Sequence, residues 1–101
     1  MKLLTKEIER KLVKAGYDGT RPICKFFTPW GRATWLITGI EDGILYGYAD
    51  LGMDCVEWGG IASLEEMEAI RGPFGLGIER DLHWEDDPNV NYLDKDSLVG
   101  V

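Results

Sequence analysis

Acidic side chains and the single histidine of the chain alternate along one short segment. The four positions are Glu79, Asp81, His83 and Glu85. An extended backbone would place all four side chains on one face, and carboxylates with an imidazole are suitable ligands for divalent metals. Positions two apart on one strand rarely surround an ion, however, and ordinary strand alternation produces the same pattern. Glu79, Asp81 and His83 are therefore weak metal candidates, and the sequence predicts neither a metal site nor a cofactor.

Nucleophilic catalysis would have to use His83 as its base, because the chain has no other histidine. Cys24 and Cys55 are the possible thiol partners, and nothing in their local sequence supports a pairing with the imidazole. Two cysteines without CxxC spacing are more often buried thiols than a disulfide in an intracellular chain. We predict no catalytic residue and favour a non-enzymatic protein. A small metal- or thiol-dependent enzyme using His83 is the alternative.

Aromatic residues and an arginine indicate a binding surface instead. Tyr46 and Tyr48 lie on one face of a predicted strand, whereas Trp30 and Arg32 lie in or beside a predicted hairpin turn. Tyr, Trp and Arg side chains anchor many protein interfaces. The alternative is that these rings complete or cap the core. We predict that the four residues form the aromatic part of a protein-binding surface.

Charge is divided unevenly along the chain, whose formal net charge is −7. Residues 1–25 hold seven basic and three acidic side chains, and the remainder holds four basic and 15 acidic ones. An acidic body repels phosphate backbones, so direct nucleic-acid binding is not expected. A protein partner, such as a host nucleic-acid-processing complex with a basic channel, fits this charge better. The predicted acidic contacts are Asp81, Glu85, Asp86 and Asp87.

The length of 101 residues suits one domain. No stretch approaches the roughly 20 apolar residues of a membrane span, and charge appears too early for a signal-peptide core. We expect a cytoplasmic protein without membrane contact. Its predicted domain covers residues 1–88, an irregular acidic tail covers residues 89–101, and the oligomeric state is left open.

Helix caps and apolar spacing indicate two helices. Thr5 is a suitable N-cap, and Gly16 a suitable stop, for a helix over about residues 6–14. Ser63 begins a second helix with the spacing of a capping box, and Gly72-Pro73 would end it. The predicted buried side of the second helix consists of Leu64, Met67 and Ile70.

A basic stripe follows the first predicted helix. Lys6, Arg10 and Lys14 recur at every fourth position, which brings them to one helix face. Such a stripe is either a solvated surface or a docking face for an acidic partner.

Segments rich in β-forming residues lie between the two helices. They cover residues 23–28, 33–38, 44–49 and 55–61, and residues 79–84 form a further extended segment. The short turns between them favour hairpins and an antiparallel meander. The predicted fold is α+β: an antiparallel sheet of four or five strands, an N-terminal helix, a second helix after the sheet and an irregular acidic C-terminal tail.

Several segments of the chain together resemble one protein family. The most specific is LEEMEAIRGPFGLGIERDL at residues 64–82. Shorter ones are LLTKEI at 3–8, KFFTPW at 25–30, TWLIT at 34–38 and LYGY at 45–48. In this order, over about residues 1–85, they resemble the bacterial, plasmid and phage family called domain of unknown function 2958.

This resemblance implies a setting and no chemistry. Members of that family are small proteins of conjugative elements, plasmids and prophages, often encoded near anti-restriction genes, and no catalytic residue can be carried over. The expected role is that of an accessory protein of a mobile genetic element, acting by protein–protein binding. We predict an inhibitor of a host nuclease defence system, of the anti-restriction or anti-CRISPR type. A structural or oligomerisation module is a further alternative.

Overall fold

A computed structural model describes residues 3–51 and 56–86 of the chain. Its helices are α1 (Lys6–Ala15) and α2 (Leu64–Ala69), and its strands are β1 (Cys24–Phe27), β2 (Thr34–Glu41), β3 (Ile44–Asp50), β4 (Val56–Ser63) and β5 (Glu79–Arg80). The strands form one antiparallel sheet in the order β4-β3-β2-β1-β5. The predicted α+β fold with a five-stranded antiparallel sheet is confirmed: β1 to β4 form the meander, and β5 pairs with β1 at the other edge. The predicted domain end at residue 88 and the tail over 89–101 lie outside the described residues.

Helix α1 begins and ends where the sequence predicts, apart from one residue. The hydroxyl oxygen of Thr5 accepts a hydrogen bond from the backbone N–H of Ile8 at 3.2 Å, which satisfies one free donor of the first turn. Gly16 ends the helix at a φ of +66°, and its N–H donates to the carbonyl of Leu12. The fully buried Leu12 side chain joins the core on one face of the sheet. Neither described helix is long and apolar enough to cross a membrane.

The sheet has two different faces because side chains alternate along each strand. The helix side carries the main core, which includes Phe26, Trp35, Ile37 and Leu45. The opposite face of the same strands carries other side chains, including Leu36, Tyr46 and Tyr48. A two-residue turn at Asp42 and Gly43, both at positive φ, joins β2 to β3.

The chain between α1 and β1 lies very close to the middle of β2. A Cβ atom at Gly39 would overlap the carbonyl oxygen of Gly16, and one at Gly19 would lie 2.6 Å from the carbonyl oxygen of Thr38. Glycine is required at both positions because two backbones approach each other there. This approach brings residues 17–20 to the face of the sheet opposite α1, where they meet β3.

Helix α2 is shorter than the sequence predicts. The hydroxyl of Ser63 accepts a hydrogen bond from the N–H of Glu66, so the predicted N-cap forms. The Glu66 carboxylate accepts a 3.1 Å hydrogen bond from this hydroxyl, whereas the predicted capping box would direct it to the N–H of Ser63. The helix nevertheless ends at Ala69, because the backbone of Ile70 is extended. The Arg71 guanidinium donates hydrogen bonds to the carbonyls of residues 68 and 70. The predicted burial of Ile70 is therefore wrong: this residue follows the helix and is 39% exposed.

Candidate protein-binding surface

Aromatic side chains lie together on the face of the sheet opposite α1. Tyr46 and Tyr48 alternate along β3 with the buried Leu45, so both project away from the helix side. Trp58 is the antiparallel partner of Tyr48 on β4, and such partners project to the same side. The ring of Tyr17 meets that of Tyr46 edge to face, with centroids 6.4 Å apart and planes at 62°. We call Tyr17, Tyr46, Tyr48 and Trp58 the aromatic row.

Tyr48 is the structural member of the aromatic row. Its side chain is only 8% exposed, and its hydroxyl donates a 3.0 Å hydrogen bond to the carbonyl oxygen of Thr20. Burial raises the pKa of Tyr48, against the opposing effect of the Arg21 charge. The neutral phenol therefore fastens the segment before β1 to β3 and presents little surface to a partner.

The accessible members of the aromatic row are Tyr17 and Trp58. Tyr17 is 54% exposed and Trp58 43% exposed, although both are large aromatic residues. Tyr17 is positioned by its contact with Tyr46, and the register of β4, an edge strand, determines the face from which Trp58 projects. Rings that are already held in place lose little side-chain entropy when they bind a partner. Exposed and ordered aromatic rings are the usual centres of protein interfaces.

The structure divides the aromatic surface that the sequence predicts. Tyr46 and Tyr48 do lie on one face, but Trp30 packs against the helix-side core and against the backbone of Gly72, where a Cβ atom would overlap its indole. Arg32 is exposed in the turn between β1 and β2. Two of the four predicted residues are thus in the aromatic row, and Trp30 lies on the other side of the sheet.

Sequence reasoning missed Tyr17 because its place depends on the close approach of two backbones at Gly16 and Gly39. No local pattern around residue 17 indicates that approach. Trp58 had a usable signal: strand alternation and an edge position together predict an exposed ring on the Tyr48 face.

Two of the four predicted acidic contacts, Asp81 and Asp86, already have partners within the chain. Asp81 lies 3.9 Å from the Lys25 ammonium and accepts a hydrogen bond from the N–H of His83. Asp86 accepts two hydrogen bonds from the guanidinium of Arg21, at 2.6 and 3.0 Å. The Arg21–Asp86 pair joins the segment after β5 to the turn before β1.

The structure describes no partner within the chain for the other two predicted acidic contacts, Glu85 and Asp87. Glu85 is exposed. Asp87 lies outside the described residues, so its part in a binding surface stays a prediction.

The groups considered for catalysis do not form a reactive arrangement within the described residues. Burial raises the pKa of the Cys24 thiol to about 12, with a smaller opposing effect from the Arg80 charge, so the thiolate that would act as nucleophile is scarce at neutral pH. Cys55 lies outside the described residues. Strand β5 ends at Arg80, so the extended backbone that would alternate the side chains of residues 79–84 stops before His83. In residues 3–51 and 56–86, no three His, Cys, Asp or Glu side chains are placed to hold a metal ion.

Comparison with known proteins gives one family. A family model described as "Protein of unknown function (DUF2958)" matches residues 2–100. This match confirms the resemblance and extends it past residue 85, through the acidic C-terminal segment. No curated protein and no solved structure matches the chain.

Proposed function

The chain belongs to the DUF2958 family, whose description assigns no function, and we propose that it acts by binding another protein through the aromatic row. The observation that carries this proposal is the exposure of Tyr17 and Trp58 on the same face of the sheet, where Tyr46 also holds the ring of Tyr17. A folded domain gains nothing for its own core from ring surface left in water. A partner that covers both rings would remove this apolar surface from water, which favours binding.

The expected energetic pattern follows from the burial of each ring. Trp58 and Tyr17 would bury new surface on binding, whereas Tyr48 is already buried and would add little. Removal of an aromatic anchor typically costs about 2 kcal/mol or more of binding free energy. We therefore expect binding to depend strongly on Trp58 and Tyr17, with the Tyr48 hydroxyl acting on stability alone.

We further propose a biological setting: an accessory protein of a phage, plasmid or conjugative element that works in the cytoplasm. Within that setting, the proposed role is inhibition of a host nuclease defence system of the anti-restriction or anti-CRISPR type. The family resemblance supports the setting. The net charge of −7 supports a nuclease as the partner, because channels that hold nucleic acid are basic.

Affinity capture from a bacterial host of such elements tests the binding role. Tagged wild type, a Tyr17→Ala/Trp58→Ala double variant and a Phe74→Ala control are compared. Phe74 is fully exposed in the turn after α2, so its removal deletes an equal kind of ring away from the aromatic row. We expect wild type and the control to retain the same protein, identified by mass spectrometry, and the double variant to lose it.

The failed outcomes separate two errors. Equal capture by all three proteins would show that the aromatic row is the wrong surface. Specific capture by none of them, in hosts that carry restriction and CRISPR nucleases, would contradict the defence-inhibitor role. A phage-plating assay in the same hosts provides the biological readout, because an inhibitor of defence raises plating efficiency.

A further inference from the structure

A groove lies beside α1, on the side of the molecule away from the aromatic row. It is bounded by α1, the β2–β3 turn and the beginning of α2, and its volume is about 700 Å³. Apolar lining comes from Val13, Ile40 and Leu64. Five carboxylates surround this lining: Glu9, Glu41, Asp42, Glu65 and Glu68. We call this feature the acidic groove.

A surface of opposite charge adjoins the acidic groove on the same helix. Lys6, Arg10 and Lys14 line a shallow depression on the outer face of α1. Val13 and the carboxylate of Glu9 line both this depression and the groove, so the two charges meet along Glu9 and Val13. Val13 is 61% exposed at the boundary between them. We call Lys6, Arg10 and Lys14 the basic ridge; it is the predicted basic stripe, and all three residues are exposed.

Most of these charges have no opposite charge beside them in the monomer. Of the described ion pairs, the only one within α1 joins Glu7 and Lys11, which lie outside both the groove and the ridge. Glu68 is the one groove carboxylate with a described use, because it accepts a hydrogen bond from the N–H of Leu3. The groove and the ridge are therefore available to an opposite charge from outside.

A metal ion is a poor occupant for the acidic groove. Among the described residues, no three carboxylates come close enough together to ligate one ion. Carboxylates spread around an apolar lining suit a helix that carries separated cations and an apolar residue between them. The outer face of α1, with the basic ridge beside Val13, has that composition.

We propose that two copies of this chain associate about a two-fold axis near Val13, with the basic ridge of each copy against the acidic groove of the other. In such a dimer every contact occurs twice, so a surface that carries both charges side by side is complementary to itself. The two Val13 side chains meet at the axis. The centre of the interface is therefore apolar, and no charged group has to be buried there. The ridge runs over nine residues of α1 from Lys6 to Lys14, about 12 Å along the helix axis, which is a suitable length for a groove of this volume.

This dimer goes beyond the binding role proposed above, since it uses a different surface. The aromatic row lies on the opposite face of the sheet and stays exposed in both copies. A dimer would present two aromatic rows, which raises the apparent affinity for a partner with two sites.

Charge reversal tests the dimer. A ridge variant (Lys6→Glu/Arg10→Glu/Lys14→Glu) has two acidic surfaces. A groove variant (Glu9→Lys/Glu41→Lys/Asp42→Asn/Glu65→Lys) keeps only Glu68 among the groove carboxylates, so it has two basic surfaces. Sedimentation equilibrium at about 100 µM protein and low salt should give wild type twice its chain mass of 11.4 kDa, and each variant the monomer mass. An equimolar mixture of the two variants should return to the dimer mass. Salt at about 1 M should dissociate the wild-type dimer, because the distance over which charges attract each other falls to a few ångströms.

Two outcomes would overturn the proposal: a monomeric wild type at low salt, or a mixture of variants that stays monomeric. Far-UV circular dichroism and thermal melts establish that each variant is folded. An Arg32→Glu/Glu57→Lys control reverses exposed charges away from both surfaces and should remain dimeric.

Cysteine cross-linking gives an independent readout that needs no charge change. Val13→Cys places a thiol at the proposed axis, whereas Lys11→Cys places one on another face of α1, and wild type reports any cross-link through the native cysteines. Mild oxidation should link most of the Val13→Cys protein into covalent dimers and little of the Lys11→Cys protein. Equal linking of the two variants would contradict an axis near Val13.

Discussion

The buried thiol of Cys24 makes a pH-dependent contribution to stability. Burial raises its pKa from the ordinary 9.0 to about 12, and the nearby charge of Arg80 only partly opposes this effect. Above pH 9 the unfolded chain releases the thiol proton while the folded chain retains it. The folded pKa is the higher one, so this contribution is complete below pH 9 and is lost as the pH rises toward 12.

The size of the effect follows from the two pKa values. For an unfolded pKa of 9.0 and a folded pKa of about 12, linkage gives a loss of about 1.4 kcal/mol in the free energy of unfolding between pH 8 and pH 10. Cys24→Ala removes the group. The variant should be less stable at every pH because the side chain is buried, but it should lack this part of the pH dependence.

Urea unfolding followed by tryptophan fluorescence measures the difference directly. Wild type and Cys24→Ala are compared at pH 8, 9 and 10, so that the other titrating groups cancel. The difference in the free energy of unfolding between wild type and Cys24→Ala should decrease by about 1.4 kcal/mol from pH 8 to pH 10. An unchanged gap would show that the folded protein tolerates the Cys24 thiolate, which would refute the argument against thiol chemistry at this residue.

Three further substitutions test how the fold holds the aromatic row. Tyr48→Phe removes the hydrogen bond to Thr20 and should cost about 1 kcal/mol in urea unfolding; an unchanged midpoint would contradict that anchor. Gly39→Ala would force a methyl group into the backbone of Gly16 and should cost about 3 kcal/mol or prevent folding; equal stability would disprove the close approach. Phe74→Gly relieves a left-handed φ of +61° at a fully exposed side chain and should leave the melting temperature unchanged or higher; a lower value would mean that Phe74 supports the fold.

Much of the fold could be predicted from sequence because its signals are local. The caps at Thr5 and Ser63 act within one helical turn. The turn at Asp42-Gly43 requires positive φ at two consecutive positions, which these residues tolerate. Short turns also make antiparallel neighbours the simplest arrangement of β1 to β4. The helix starts and the meander were therefore predicted correctly.

The candidate surface could be predicted only in part because it depends on contacts far apart in sequence. Strand alternation places Tyr46 and Tyr48 together, but the contribution of Tyr17 follows from the approach of the segment before β1 to β2. The position of Trp30 also depends on a distant contact, because the glycine that accommodates its ring is Gly72, which follows α2. Ile70 was misjudged for a local reason: its backbone is extended, so α2 ends at Ala69 and not at Gly72-Pro73. For Tyr17 and Trp30, the side chain is positioned by a residue that no local pattern connects to it.

The central claim is that the protein binds a partner through the exposed rings of the aromatic row. The most direct test is the dissociation constant for the captured partner, measured by calorimetry with wild type, Trp58→Ala and Phe74→Ala, after thermal melts have shown that all three are folded. We predict that Trp58→Ala weakens binding by about 30-fold, the equivalent of about 2 kcal/mol, and that Phe74→Ala has no effect. Dissociation constants for all three within about twofold, which is well under 1 kcal/mol, would contradict the claim.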